Sequence, residues 1–250
     1  MPQQTTRLAR ENIESAEQWH KRTNVREIVF GFNDGAISIL ALTAGAIGGA
    51  LSRGQATVAA LSGVIGGAIS MGIGAYISSK SEIEHHRAEI VRERQEIIAA
   101  PEVEREELRQ IYLSKAPFTD AELEIILDRI CGDPDTFLAV MMEEELGLFE
   151  DRFESPMKVA GIMFAAFLAG GFFPLIPFSV VADPLAGLVA ASCATFLALF
   201  FIGVWKTGFT LRHWFASGME MVGVGVLAAV IPYLLGDLLL RQVLAFFAEN

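Results

Sequence analysis

The sequence predicts an all-α, polytopic membrane protein: five transmembrane helices, with a cytoplasmic helical domain inserted between the second and the third. Three observations predict it. The chain has 250 residues, 52% of them hydrophobic, with a mean hydropathy of +0.43. Five of its stretches each reach the length of about 20 mostly apolar residues that a spanning helix needs. The acids are concentrated: residues 81–155 hold 21 of the 30 acids and 8 of the 19 bases, a net of −13 against +2 for the rest. An almost neutral apolar body therefore carries one strongly acidic insert.

In chain order, residues 1–27 are expected to be a cytoplasmic N-terminal segment in which 8–22 form an amphipathic helix on the membrane surface. From the charged stretch Met1–His20, no cleavable secretory signal is expected before the first span. Residues 28–80 hold the first two spans, about Ile28–Leu51 and Ala56–Ser79. Residues 156–250 hold the last three, about Val159–Val181, Leu185–Trp205 and Ala216–Leu240. Arg7, Arg10, Lys21, Arg22 and Arg26 precede the first span, and only Arg53 lies between the first and the second. That asymmetry puts the N-terminus and the acidic insert in the cytoplasm and the C-terminus on the opposite side.

Within residues 81–155 the helical phase of the second span continues to about Ile98. Pro101 breaks it, and further helices are expected over about Glu102–Leu113, Ala121–Cys131 and Asp135–Phe153. Thr119 and Gly132-Asp133-Pro134 mark the boundaries.

The acidic balance excludes a nucleic-acid binder held by phosphate contacts. Two cysteines, Cys131 and Cys193, make neither a disulfide framework nor a zinc motif. Polar groups inside spans are costly and point to function. Asp34 stands inside the first span, and Glu27 lies two turns earlier on the same face. Met71 in the second span offers a soft thioether. Glu220 near the start of the fifth span reads as a snorkelling carboxylate. Gly45 and Gly49, and Gly63 and Gly67, are four apart, a spacing that lets helices approach closely in lipid.

In the insert, Glu93 and Glu96 share a helix face, as do Glu104 and Glu107. Met141 and Met142 lie one turn before Glu145. Packed together, these helices would gather carboxylates with thioether sulfurs. Oxygen alone suits Mg²⁺, Ca²⁺ or Mn²⁺, and added sulfur favours later metals such as Fe²⁺. His85 and His86 give a single Glu-x-x-His with Glu82, where a ferritin-like di-iron bundle needs two.

Arg26-Glu27, Gly31-Phe32-Asn33-Asp34-Gly35, Ser70-Met71-Gly72-Ile73-Gly74, Met141-Met142-x-x-Glu145-Leu146-Gly147 and Ser155-Pro156 together resemble the vacuolar iron transporter family, from about Arg26 to the end of the fifth span. The resemblance implies a homodimer of five-span subunits exchanging divalent cations for protons, not an enzyme. It implies a transport path through Glu27, Asp34 and Met71. It also implies a cytoplasmic metal site of Glu93, Glu96, Glu104, Glu107, Met141, Met142 and Glu145. Two positions depart from the family's pattern: Ala75, where many members have Glu, and Gly67, where some have a second Met.

The expected function is export of Fe²⁺, with Mn²⁺ and other divalent ions, from the cytoplasm in exchange for protons. No prosthetic group is expected. The expected location is a bacterial plasma membrane. The alternatives are a membrane-anchored di-iron oxidase and a metal sensor without transport.

Overall fold

A computed structural model describes residues 24–147, 155–210 and 212–249. Every described element is helical: α1 (Val25–Gly48), α2 (Arg53–Ala99), α3 (Pro101–Lys115), α4 (Asp120–Cys131), α5 (Pro134–Glu144), α6 (Pro156–Val180), α7 (Pro184–Trp205) and α8 (Trp214–Glu249), with a 3₁₀ turn at Lys206–Phe209. Helices α1, α2, α6, α7 with its 3₁₀ turn, and α8 are long and apolar enough to cross a membrane. This is a helical membrane protein. The amphipathic helix expected over residues 8–22 lies outside the described residues.

Local chemistry sets the helix ends. Pro101 occupies the first turn of α3, where its missing N–H is no loss. Thr119 and Glu122 form a reciprocal capping box at the start of α4. Asp133 accepts from the Thr136 N–H ahead of α5, and Asp183 accepts from the Ala186 N–H ahead of α7. Two helix ends differ from expectation: α8 runs on to Glu249, past the expected limit near Leu240, and the other lies in the insert. The fourth insert helix stops at Glu144 instead of running to Phe153, and Gly147 takes φ +63°, a left-handed conformation that ends a right-handed helix. Residues 148–154 of the expected helix lie outside the described residues.

The described residues group into two compact units. One comprises residues up to Tyr76 together with those from Pro156 onward. In it α1 is central and packs against α6, α7 and α8. The closest approach is to α6. A Cβ at Gly35 would stand 2.2 Å from the Phe167 carbonyl oxygen, and one at Gly170 would stand 2.0 Å from that of Phe32. Gly48 and Gly236 do the same for α1 and α8. In α2, Ala56, Ala60, Val64 and Ala68 recur every fourth residue and are fully buried, while Val58, Ile65, Ile69 and Ile73 stay exposed. That is the pattern of one packed stripe and one lipid-facing stripe. Ala56 joins a cluster with Leu40, Phe178 and Ala191, and Ala60 and Val64 join Ile39 and Leu175.

The other unit is Ile77–Ser155. Its core gathers Ile97, Leu108, Leu127, Phe137, Leu138, Met141 and Met142, one contribution or more from each of α2, α3, α4 and α5. Arg105 bridges Glu124 and Asp128, and Arg109 bridges Asp120 and Glu124, which tie the exposed sides of α3 and α4.

Candidate metal centre

Two carboxylates occupy positions that the helical repeat assigns to the core of the acidic unit. Glu93 lies one turn before buried Ile97 on α2, and Glu104 one turn before buried Leu108 on α3. Their exposures are 3% and 6%, values rarely found for glutamate unless it is paired. Glu145, the residue that closes α5, lies one turn beyond buried Met141 and brings a third carboxylate to the same point. One oxygen from each of Glu93, Glu104 and Glu145 lies within 4.8 Å of the others. Two oxygens bound across a single divalent ion stand about 4–5 Å apart, twice the usual metal–oxygen distance. The group therefore has the dimensions of a shared cation site.

The electrostatics agree. Burial pushes the Glu93 carboxyl up to about 7, and the neighbouring Glu145, Glu104 and Glu96 push the same way. Burial likewise raises Glu104, helped by Glu107, Glu145 and Glu96 and opposed by a side-chain hydrogen bond with Glu93. Burial raises Glu145 too, with Glu107 and Glu96 adding to it and Arg92 opposing. Enclosed oxygens of two of them, Glu93 Oε1 and Glu104 Oε2, find no hydrogen-bond partner among the described residues. Buried carboxylate oxygens left in that state are costly unless a proton or a cation completes them. The residues present thus fit a divalent ion held mainly by oxygen.

Of the seven residues expected at this centre, the structure gathers Glu93, Glu104 and Glu145. Glu96 and Glu107 are exposed, close enough to raise the pKa values of members of the group. Met141 and Met142 are buried among Ile97, Leu108, Leu127, Phe137 and Leu138. Glu27, Asp34 and Met71 belong to the other unit. Glu27 sits in the first turn of α1, where the positive end of the helix dipole favours a carboxylate. Half-buried Asp34 accepts a hydrogen bond from the Ser38 hydroxyl at 3.3 Å, and Met71 is half-buried on α2.

The remaining marked residues have plain settings. His85 Nδ1 lies 3.9 Å from Glu89, Glu220 accepts from Arg212 at 2.6 Å, and Cys131 and Cys193 are free thiols. The departure at Gly67 has a packing partner. A Cβ there would stand 2.4 Å from the ring of buried Phe167, so the ring occupies the space a second methionine would need. Sequence reasoning missed Gly35 and Gly170 as the tightest contact. Gly35 stands in the first-span motif, but nothing local pairs it with Gly170.

Comparison with known proteins reaches the same place. The VIT family's sequence profile matches residues 25–237. Vacuolar iron transporter 1 of Arabidopsis thaliana is 33% identical over 211 residues, 84% of each chain. The vacuolar iron transporter of Plasmodium falciparum is 31% identical over 231 residues, 89% of this chain and 84% of that protein. That of Toxoplasma gondii is 32% identical over 243 residues, 93% and 80%. Five long apolar helices, an acidic helical unit with a buried carboxylate group, and similarity over most of the chain's length have one common reading: the chain belongs to the VIT family, whose members are transporters and not enzymes.

Proposed function

We propose that this protein carries Fe²⁺, and with it Mn²⁺ and other divalent transition ions, out of the cytoplasm in exchange for protons. The observation that carries the reading is the cluster of buried Glu93 and Glu104 with exposed Glu145, in which an enclosed oxygen of each buried residue lacks a partner among the described residues. Relatives named as iron transporters support iron as the cargo. In this reading the five long apolar helices all span the membrane, and residues 81–155 are a cytoplasmic collecting domain. Glu96 and Glu107 attract the ion at the rim, and Met141 and Met142 bias the centre toward softer metals. The three clustered carboxyls must lose protons to bind, so loading weakens as pH falls.

Glu27, Asp34 and Met71 form the path. Asp34 holds either the ion or a proton, and that alternation is what couples the two flows. Two subunits form the working unit, in a bacterial plasma membrane, with the N-terminus inside.

Purified protein in liposomes loaded with a metal-quenched dye tests this. An imposed proton gradient should drive Fe²⁺ or Mn²⁺ uptake through the wild type, and Asp34→Ala should reduce it to the rate of empty liposomes. Uptake indifferent to the gradient would remove the exchange reading. Uptake indifferent to Asp34→Ala would remove the role given to that residue.

A further inference from the structure

The residue before Asp34 has an unusual setting. Asn33 lies on α1, and its Oδ1 is fully enclosed with no hydrogen-bond partner among the described residues. Other enclosed polar side chains of the same unit are satisfied. The Thr43 hydroxyl donates to the Ile39 carbonyl at 2.5 Å, Thr195 to Ala191 at 2.8 Å, and Ser217 to Gly203 at 2.8 Å. The direction Asn33 faces follows from its neighbours one turn either side. Val29 and Ile37 both pack on the cluster of Phe32, Ala36, Ala198, Leu199 and Met221, which joins α1 to α7 and α8. The amide thus sits on the face of α1 that meets α7 and α8, about 1.5 Å along the axis and 100° around it from Asp34.

An enclosed amide oxygen without a partner costs stability even on a half-buried residue, and leucine would fill nearly the same volume without that cost. A group retained against stability is a candidate for function. We infer that Asn33 is a ligand of the transported cation, its Oδ1 offering a neutral oxygen inside the bundle at the depth of the Asp34 carboxylate. An amide oxygen suits Mn²⁺ better than it suits softer ions. Asn33 therefore contributes to selectivity as well as affinity. The inference rests on the transport reading above.

The test measures initial uptake of Mn²⁺ and, without oxygen, of Fe²⁺ by the full chain in liposomes, for wild type, Asn33→Leu, Asn33→Ser and Asn33→Asp, with thermal unfolding of each in detergent. Asn33→Leu should unfold at the same or a higher temperature, yet its KM for Mn²⁺ should rise roughly tenfold, as for one lost contact to a charged partner. Its KM for Fe²⁺ should rise less. Asn33→Asp, which keeps an oxygen, should stay within about threefold of wild type. Wild-type KM values in Asn33→Leu overturn the inference and leave the transport reading intact. So does a loss of rate with an unchanged ratio of the two KM values, because a packing role predicts that result. If the leucine variant does not accumulate, Asn33→Ser is judged by the same ratio. A wild type without metal flux overturns both readings.

Discussion

Glu93 concentrates the chemistry of the acidic unit in one side chain. Its carboxyl is raised to about 7 from an ordinary 4.5. A raised carboxyl is more protonated in the folded state than in the unfolded one. Its contribution to stability is therefore complete below about pH 4.5 and is lost as pH climbs through about 7. Metal binding has the opposite dependence, since an ion replaces the proton. Glu93→Gln copies the protonated form and cannot ionise. In metal-free protein at pH 8 the variant should unfold at a higher temperature than wild type, and near pH 4 the difference should vanish. At the same time, Fe²⁺ or Mn²⁺ affinity at pH 8 should fall by roughly tenfold or more, the order expected when a buried charged ligand is lost. Thermal melts and metal titrations at the two pH values check both signs. A variant less stable than wild type at pH 8 would show that Glu93 is held by partners rather than waiting for one.

At the scale of elements, glycine marks where two helices become one packed object. The sequence shows pairs four apart at Gly45 and Gly49 and at Gly63 and Gly67, but the backbones meet most closely at Gly35 and Gly170. Gly45 does face α8, and Gly63 meets the side chains of Leu42 and Ile39 instead of a backbone. Spacing along one helix shows that a close contact is available. It does not say which partner takes it, because that choice depends on the register between segments more than a hundred residues apart. The same limit hid the carboxylate group. Glu93, Glu96, Glu104 and Glu107 share spacings and charge, and only the turn of each helix about its neighbour decides which one of each pair is enclosed. Gly170→Ala puts this contact to the test. The new methyl would lie 2.0 Å from the Phe32 carbonyl oxygen, a rigid group that cannot swing aside. Overpacking of this kind costs typically about 1–3 kcal/mol, so the variant should unfold several degrees lower in detergent, whereas Gly74→Ala, which meets open space, should match wild type.

Taken whole, the molecule places nearly all of its charge imbalance in one unit. The length and apolarity of the spans, and the location of the acids, are properties of contiguous sequence. They are therefore legible in the order of residues alone: Val25–Gly48 and Pro184–Trp205 fall within a few residues of the expected limits. The end of α5 at Glu144 is not, because the acids and apolar residues beyond it continue a helical pattern that Gly147 alone interrupts. A net of −13 over residues 81–155 also makes a prediction that no single ligand makes. Long-range attraction raises the cation concentration near the domain and is screened over about 8 Å at physiological ionic strength, against about 30 Å at 0.01 M. Raising ionic strength between these limits should therefore raise the KM for metal uptake several-fold while leaving the maximal rate nearly unchanged. Neutralising the exposed Glu102, Glu106 and Glu143 to glutamine, none of them in the three-carboxylate cluster, should flatten that salt dependence without abolishing uptake. If the triple variant kept the wild-type salt slope, the acidic surface would have no part in collecting ions, and the three clustered carboxylates would have to draw them from bulk water unaided.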